Sequence, residues 1–267
     1  MVITIASGKG GSAKTKTTAN LARALYDIGA PPSAMIDADY GISLTRLYGY
    51  SPTSSIITAL IEGTISFEDA LHETNDEIPL IPGSPQVAKV PGTREELKRW
   101  TDRLREVGTD KLILIDTSDD ITSAPVAAAI LAADLLVIPL QFEDGDYERT
   151  YPEIEGILTH FGHKPEEVWV GSMVEGRTAY EKAVAQRLAD EGREISIRIP
   201  RAVAVREAGR HERSAVGAFP KAKVSEVYRD LATVILARLR RLGYMGGKAA
   251  PVGRPTRDVT LGESVRI

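Results

Sequence analysis

Residues 7–18 read Ser-Gly-Lys-Gly-Gly-Ser-Ala-Lys-Thr-Lys-Thr-Thr, a run whose residue types suit the holding of phosphate. Glycines at 8, 10 and 11 let the backbone come close enough for its N–H groups to face phosphate oxygens. Lys14 then supplies a cation for the β- and γ-phosphates, and the Thr15 hydroxyl a ligand for Mg²⁺. The set expected to bind ATP is Gly8, Lys9, Gly10, Gly11, Ser12, Ala13, Lys14, Thr15 and Lys16. One position departs from the pattern G-x-x-x-x-G-K-[ST], which places glycine where Ala13 stands. Alanine there costs about 1–2 kcal/mol if the position is left-handed and little if its φ is negative.

Carboxylates stand where metal chemistry would want them. Leu112-Ile113-Leu114-Ile115-Asp116 is an apolar strand closed by an acid, the arrangement that holds Mg²⁺ directly or through water. A second apolar run, Met35-Ile36-Asp37-Ala38-Asp39, ends in two acids. Asp119 and Asp120 follow Asp116 closely and add negative charge beside the phosphate end of the sheet. Histidines 72, 160, 163 and 211 are scattered, and no metal site beyond Mg²⁺ is expected.

These groups need a frame, and the hydrophobic pattern predicts one. Val2–Ala6, Ala34–Ile36, Lys111–Ile115, Leu135–Pro139, Val168–Ser172 and Ile195–Ile199 read as buried strands. Between and after them, Thr15–Gly29, Arg94–Val107, Ser123–Ala133, Glu148–Phe161, Ala179–Glu191 and Val224–Leu242 read as helices. Strands alternating with crossover helices predict an α/β fold: a doubly wound, mostly parallel sheet covered on both faces. The phosphate loop then falls between the first strand and the first helix, whose N-terminal end favours anions. The expected division is an ATPase domain over residues 1–242 and a flexible tail rich in Gly, Pro and Arg over 243–267.

Composition removes several classes. No cysteine occurs among 267 residues, which excludes disulfides, thiolate metal sites and cysteine nucleophiles. No stretch approaches the ~20 apolar residues of a membrane span, and residues 1–6 lack the marks of an export signal, so a cytoplasmic protein is expected. Because strand one starts at residue 2, no DNA-reading segment is expected before it, nor transcriptional autorepression. The net charge of −4 hides an asymmetry: residues 193–257 carry 15 Lys and Arg against 5 Asp and Glu. A solvated set of helix faces explains such a run, and so does an anionic partner such as nucleic acid or lipid.

The loop Gly8-Lys9-Gly10-Gly11-x-x-Lys14-Thr15 resembles the deviant Walker A loop of the ParA/MinD family of P-loop ATPases, K-G-G-x-G-K-T. Lys9 occupies the place of that family's signature lysine. Met35–Asp39 is similar to its D-x-D motif, and Ala132–Gln141 to its A-A-D-x-x-x-I-P-x-Q strand. Ile199-Pro200-Arg201, Val205–Ala208, Phe219–Lys223 and Glu226–Tyr228 resemble its C-terminal third, so the likeness covers residues 2–240. The resemblance implies two monomers closing face to face on two ATP molecules, each Lys9 reaching the phosphates of the other subunit. It implies further that Asp39 orients the attacking water, that Asp37 supports the metal held by Thr15 and Asp116, and that Pro200 lines the adenine side. On this basis the catalytic residues are Lys9, Lys14 and Asp39. Tyr40-Gly41, where Pro-Gln is usual, and Thr117-Ser118-Asp119-Asp120, where a pair of prolines is usual, depart from the family.

The resemblance leaves two branches. The ParA/Soj-like branch implies a nucleoid-associated partition switch: an ATP-dependent homodimer that binds nonspecific double-stranded DNA, here through Lys221, Lys223 and Arg201, and hydrolyses ATP weakly until a ParB-like centromere-binding protein stimulates it. The MinD-like branch implies membrane association through a C-terminal amphipathic helix, for which Val234–Leu242 has the pattern, although the same pattern makes an ordinary packed helix. A carboxylate-activating ligase and a scaffold without hydrolysis share the loop and remain open at this stage.

Overall fold

The protein's structure, a computed structural model, describes residues 1–246 apart from residues 52, 53, 144 and 177. The expected tail lies outside the described residues from residue 247 onward.

Strands β1 (Val2–Ile5), β2 (Ala34–Asp37), β3 (Leu80–Ile81), β4 (Ile113–Asp116), β5 (Leu135–Leu140), β6 (Glu166–Val174) and β7 (Ile195–Pro200) form one sheet in the order β3-β2-β4-β1-β5-β6-β7. All seven strands pair in parallel, as expected of a mostly parallel sheet, and an isolated antiparallel bridge, His72 to Leu80, lies at the β3 edge. The helices are α1 (Lys14–Asp27), α2 (Ser43–Leu47), α3 (Ile56–Glu62), α4 (Phe67–Ala70), α5 (Arg94–Val107), α6 (Ala124–Ala132), α7 (Asp146–Phe161), α8 (Ala179–Asp190), α9 (Val203–Glu207), α10 (Ala215–Ala218) and α11 (Lys223–Arg241).

The period-two geometry of a strand explains why residues 112–115, leading up to Asp116, and all of β5 are apolar. Leu112 and Leu114 face one core with Leu21, Leu25, Tyr228, Leu231 and Ile235 of α1 and α11. Ile113 and Ile115 face the other, against Trp100 and Leu104 of α5 and Ala128, Ala129 and Ala132 of α6. A strand buried on both faces has no position left for a polar residue unless it is satisfied, as Thr4 is by donating to Ala129 O at 2.6 Å.

Strand β3 was not legible in advance. It is two residues long, sits at the sheet edge and lies between Pro79 and Pro82, which cannot donate to a ladder. The register matters more for function. Ile5 and Asp37 both stand opposite Asp116, because β4 inserts between β1 and β2. The carboxyl ends of three strands are thereby level, beside the loop that leaves β1 and at the point where the sheet's winding changes direction.

Candidate functional site

Between β1 and α1 the chain has only residues 6–13 in which to turn over the carboxyl edge of the sheet. Gly11 turns at φ 82°, a left-handed conformation open to glycine. At Gly10 space is short, since a Cβ there would stand 2.8 Å from Asp119 Oδ2 and that carboxylate would have to shift. Ala13, at the N-cap of α1, adopts φ 67° and ψ 27°. The question that the sequence left open is answered: the position is left-handed and alanine is strained in it, at about 1–2 kcal/mol. Part of that would be offset in a glycine variant by the freer unfolded chain. Ala13→Gly is therefore expected to stabilise the protein by about 0.5–1 kcal/mol, raising the melting temperature by about 1–4 °C. An unchanged or lower melting temperature in a thermal scan would show that Ala13 carries no strain.

Lys14, the first residue of α1, folds back under the loop. Its Nζ donates to Ser7 O at 3.1 Å and Lys9 O at 3.0 Å, and only 7% of the residue is exposed. Burial lowers its pKa, opposed by the carboxylates of Asp116, Asp119, Asp39 and Asp146. Lys16, one residue beyond Thr15, is half-buried and lowered by burial alone. The poorly solvated Lys14 cation, beside a glycine backbone and a helix N-terminus, makes an anion cradle.

Against this cradle stand the strand-end acids. Thr15 Oγ1 donates to Asp116 Oδ2 at 2.7 Å and Thr18 Oγ1 to Asp116 Oδ1 at 3.0 Å. Asp116 is fully buried, and burial followed by the neighbouring Asp37 charge pushes its pKa well above the carboxylate range. Asp37 is also fully buried and pushed up to about 7, chiefly by burial, while Thr45 opposes the shift by donating its hydroxyl at 2.6 Å and its N–H at 2.8 Å. Its other oxygen accepts from Asp39 N at 3.1 Å, so here Asp37 organises the loop carrying Asp39. Asp39 in turn accepts from Gly41 N at 2.8 Å. Two adjacent buried carboxylates are an arrangement that a hard divalent cation relieves. Among the described residues no three or more His, Cys, Asp or Glu side chains are arranged to hold a metal ion by themselves, so a cation here would need phosphate oxygens and water to complete its shell.

Gly10 through Lys16, Asp39, Tyr40, Gly41 and Asp119 share the lining of one cavity of about 550 Å³. Of the expected nucleotide set, Gly8 and Lys9 lie just before this lining and Pro200 closes β7, two strands away from β5. Asp37 and Asp116 lie beneath it as its buried support. A larger hollow of about 810 Å³ opens around Met1, Asp134 and His163, at the amino-terminal ends of β1 and β5. Ligands of a doubly wound sheet gather at the carboxyl ends, which favours the smaller cavity.

Several supporting residues escaped the sequence reading. Thr150 accepts from Gly8 N at 3.2 Å and donates to Asp146 Oδ1 at 3.1 Å, and Asp146 Oδ2 accepts from Gln141 N at 2.7 Å. Gln141 Nε2 reaches Gly11 O at 3.0 Å and Ser172 Oγ reaches Ser12 O at 2.9 Å. The loop is thus fastened from behind by α7, by Gln141 just after β5 and by β6; of these only Gln141 belongs to a motif read in the sequence, where it had no such role. Lys9 is occupied within its own chain, its Nζ lying 2.7 Å from Glu143 Oε2.

The basic candidates lie elsewhere. Lys221 precedes α11 and Lys223 opens it; both are exposed, and neither pairs with a carboxylate among the described residues. Arg201 follows β7 and pairs with Glu175 at 2.8 Å. Helix α11 packs on α1, the helix that the phosphate loop begins, and on β7. Ile235 and Leu239, in the segment with the amphipathic pattern, are fully buried.

Comparison with known proteins agrees with this geometry. The profile of the CbiA family, described as the CobQ/CobB/MinD/ParA nucleotide binding domain, matches residues 3–215. The flagellum site-determining protein YlxH of Helicobacter pylori is 29% identical over 67% of this chain, a match spanning 62% of its own length. The chromosome-partitioning ATPase Soj of Thermus thermophilus is 27% identical over 89% of this chain and 96% of its own. Among solved structures, the septum site-determining protein MinD of Pyrococcus horikoshii, complexed with Mg-ADP, superposes with a TM-score of 0.72 at 21% identity, over 90% of this chain and 98% of its own. That likeness shows a shared fold. No described helix is long and apolar enough to cross a membrane.

Proposed function

The chain belongs to the CobQ/CobB/MinD/ParA nucleotide-binding family, and from that premise we propose that it is an ATP-hydrolysing switch that partitions DNA. The observation that carries the nucleotide part is the loop itself: Lys14 and the glycine backbone face a cavity whose floor is the Thr15–Asp116 pair. ATP would be held by Gly10–Lys16, with Gly8 and Lys9 at the loop's start and Pro200 on the adenine side. Mg²⁺ would be held by Thr15 and Asp116, with Asp37 behind them, and would neutralise phosphate charge. Asp39 is the carboxylate assigned to orient water. Hydrolysis is slow unaided, since charge stabilisation is provided and little else activates water. Pairing of two copies on ATP, with Lys9 crossing between them, completes the switch.

Support for DNA comes from Lys221 and Lys223, two exposed cations without acidic partners at the start of a helix that rests on α1. The 27% identity to the chromosome-partitioning ATPase Soj points the same way. Membrane association is less well supported, because the apolar face of α11 is already packed against α1 and β7. A ParB-like stimulating partner and residence on the nucleoid complete the reading. The test is salt-dependent binding to random-sequence duplex DNA. Binding is expected with ATP and not with ADP, because a dimer doubles the cations on one surface. Replacing Lys221 and Lys223 together by Ala should flatten the slope of log K against log salt by about 3–4 for the dimer, at about 0.9 per lost phosphate contact. Equal affinity with ADP and ATP, or ATP-dependent recruitment to anionic vesicles and none to DNA, would overturn the DNA assignment.

A further inference from the structure

The nucleotide reading leaves Asp119 without a role, although its position is well defined. It leaves β4 three residues after Asp116 and lines the cavity together with Gly10, Lys14, Asp39 and Tyr40. Its Oδ2 lies 2.8 Å from where a Cβ on Gly10 would stand, so the carboxylate rests against the bare backbone of the phosphate loop. Among the acids that act on Lys14, only Asp116 acts more strongly. Tyr40, 43% exposed on the same lining, has its phenol raised chiefly by the Asp119 charge, which places the two side chains close together at the mouth of the cavity. Asp120 is different: it is exposed, accepts from Thr122 Oγ1 at 2.8 Å and does not line the cavity.

Resting on the nucleotide reading of this site, we propose that Asp119 is a charge-selectivity residue that makes the cavity reject metal-free nucleoside triphosphate and admit it once a divalent cation is bound. The physical argument is Coulombic. A phosphate group held by Lys14 must share that cation with a carboxylate already beside it, and the repulsion grows with each negative charge the ligand carries. It is therefore smallest for a monophosphate and largest for a triphosphate. A divalent cation on the terminal phosphates removes two of those charges, and with them most of the difference. Asp116 is less exposed to the ligand than Asp119, because it is fully buried and does not line the cavity, while Asp119 does.

The test compares wild type with Asp119→Asn by calorimetric titration of ATP, ADP and AMP, each with Mg²⁺ and with EDTA. In EDTA the variant should bind ATP about tenfold more tightly, with a smaller gain for ADP and the least for AMP. With Mg²⁺ the gain for ATP should fall below about threefold. Asp119→Ser, equally uncharged but shorter, should shift the affinities in the same order. Unchanged affinities, an equal gain for all three nucleotides, or weakened Mg²⁺–ATP binding would each overturn the proposal. Lys14→Ala in the same assay separates the two readings. If it binds ATP as wild type does, the nucleotide site itself is misassigned; if it loses ATP while Asp119→Asn changes nothing, only the selectivity role falls.

Discussion

Lys14→Ala is expected to lose ATP binding, by at least about 30-fold and up to several thousand-fold in Kd. Removing one partner of a desolvated charge pair costs about 2–5 kcal/mol, at about 1.4 kcal/mol per factor of ten. The structure explains why one lysine carries so much. Its ammonium is buried, held by Ser7 O and Lys9 O at 3.1 and 3.0 Å, and therefore already in place before a phosphate arrives. A buried lysine whose pKa is lowered also costs the folded protein stability while it is charged, that is, below its folded pKa. Near neutral pH the variant should thus stay folded without nucleotide, and a thermal scan beside the titration distinguishes lost binding from lost fold. ATP binding at wild-type strength by a folded Lys14→Ala protein would remove Lys14 from the site.

Lys9→Ala is expected to separate binding from association. The variant should bind ATP as a monomer within about threefold of wild type, because Lys9 lies outside the cavity lining and its charge is directed to Glu143. With ATP its dimer dissociation constant should rise by at least about tenfold, since a desolvated charge pair across an interface is worth about 1.5 kcal/mol or more. The cis pair is no obstacle to that crossing. Lys9 is 27% exposed and Glu143 58%, and an exposed pair of this kind contributes only about 0–1 kcal/mol. The lysine can leave Glu143 at little cost when a more enclosed anion is offered. Light scattering at equal protein concentrations with ATP and with ADP checks this. Dimerisation of Lys9→Ala with ATP to the wild-type extent would end the trans role and leave the Glu143 pair as the lysine's whole function.

How much of this was legible in advance follows from the range of the interactions involved. The phosphate loop could be read because its chemistry is contiguous: glycines, lysine and threonine within a dozen residues, after an apolar run and before a helical one. The fold class was legible for a similar reason, since strands such as Leu135–Leu140 must be apolar on both faces if helices cover both. Short elements were not. Helices α2, α3 and α4 and the two-residue β3 form in the long excursion between β2 and α5, where no period repeats often enough to be seen. The amphipathic pattern of α11 was visible, but its stripe would suit a bilayer surface as well as a core. The packing of Ile235 and Leu239 against α1 and the sheet shows that part of this stripe serves the core.

The sequence by itself determined which residues could meet a phosphate and which strands could be buried, because backbone freedom at glycine and the two periods of regular structure are local properties. Which carboxylates stand together was decided by the tertiary structure. Asp37 and Asp116 become neighbours only because β4 enters the sheet between β2 and β1 in a register that places them side by side. The same holds for the hold of Thr150 and Asp146 on the loop and for the Lys9–Glu143 pair, whose members are 134 residues apart. Each depends on contacts between segments distant in the chain. The burial that pushes Asp37 to about 7, and the shared cavity lining that brings the Asp119 charge to Lys14, arise only when those segments meet at the end of the sheet.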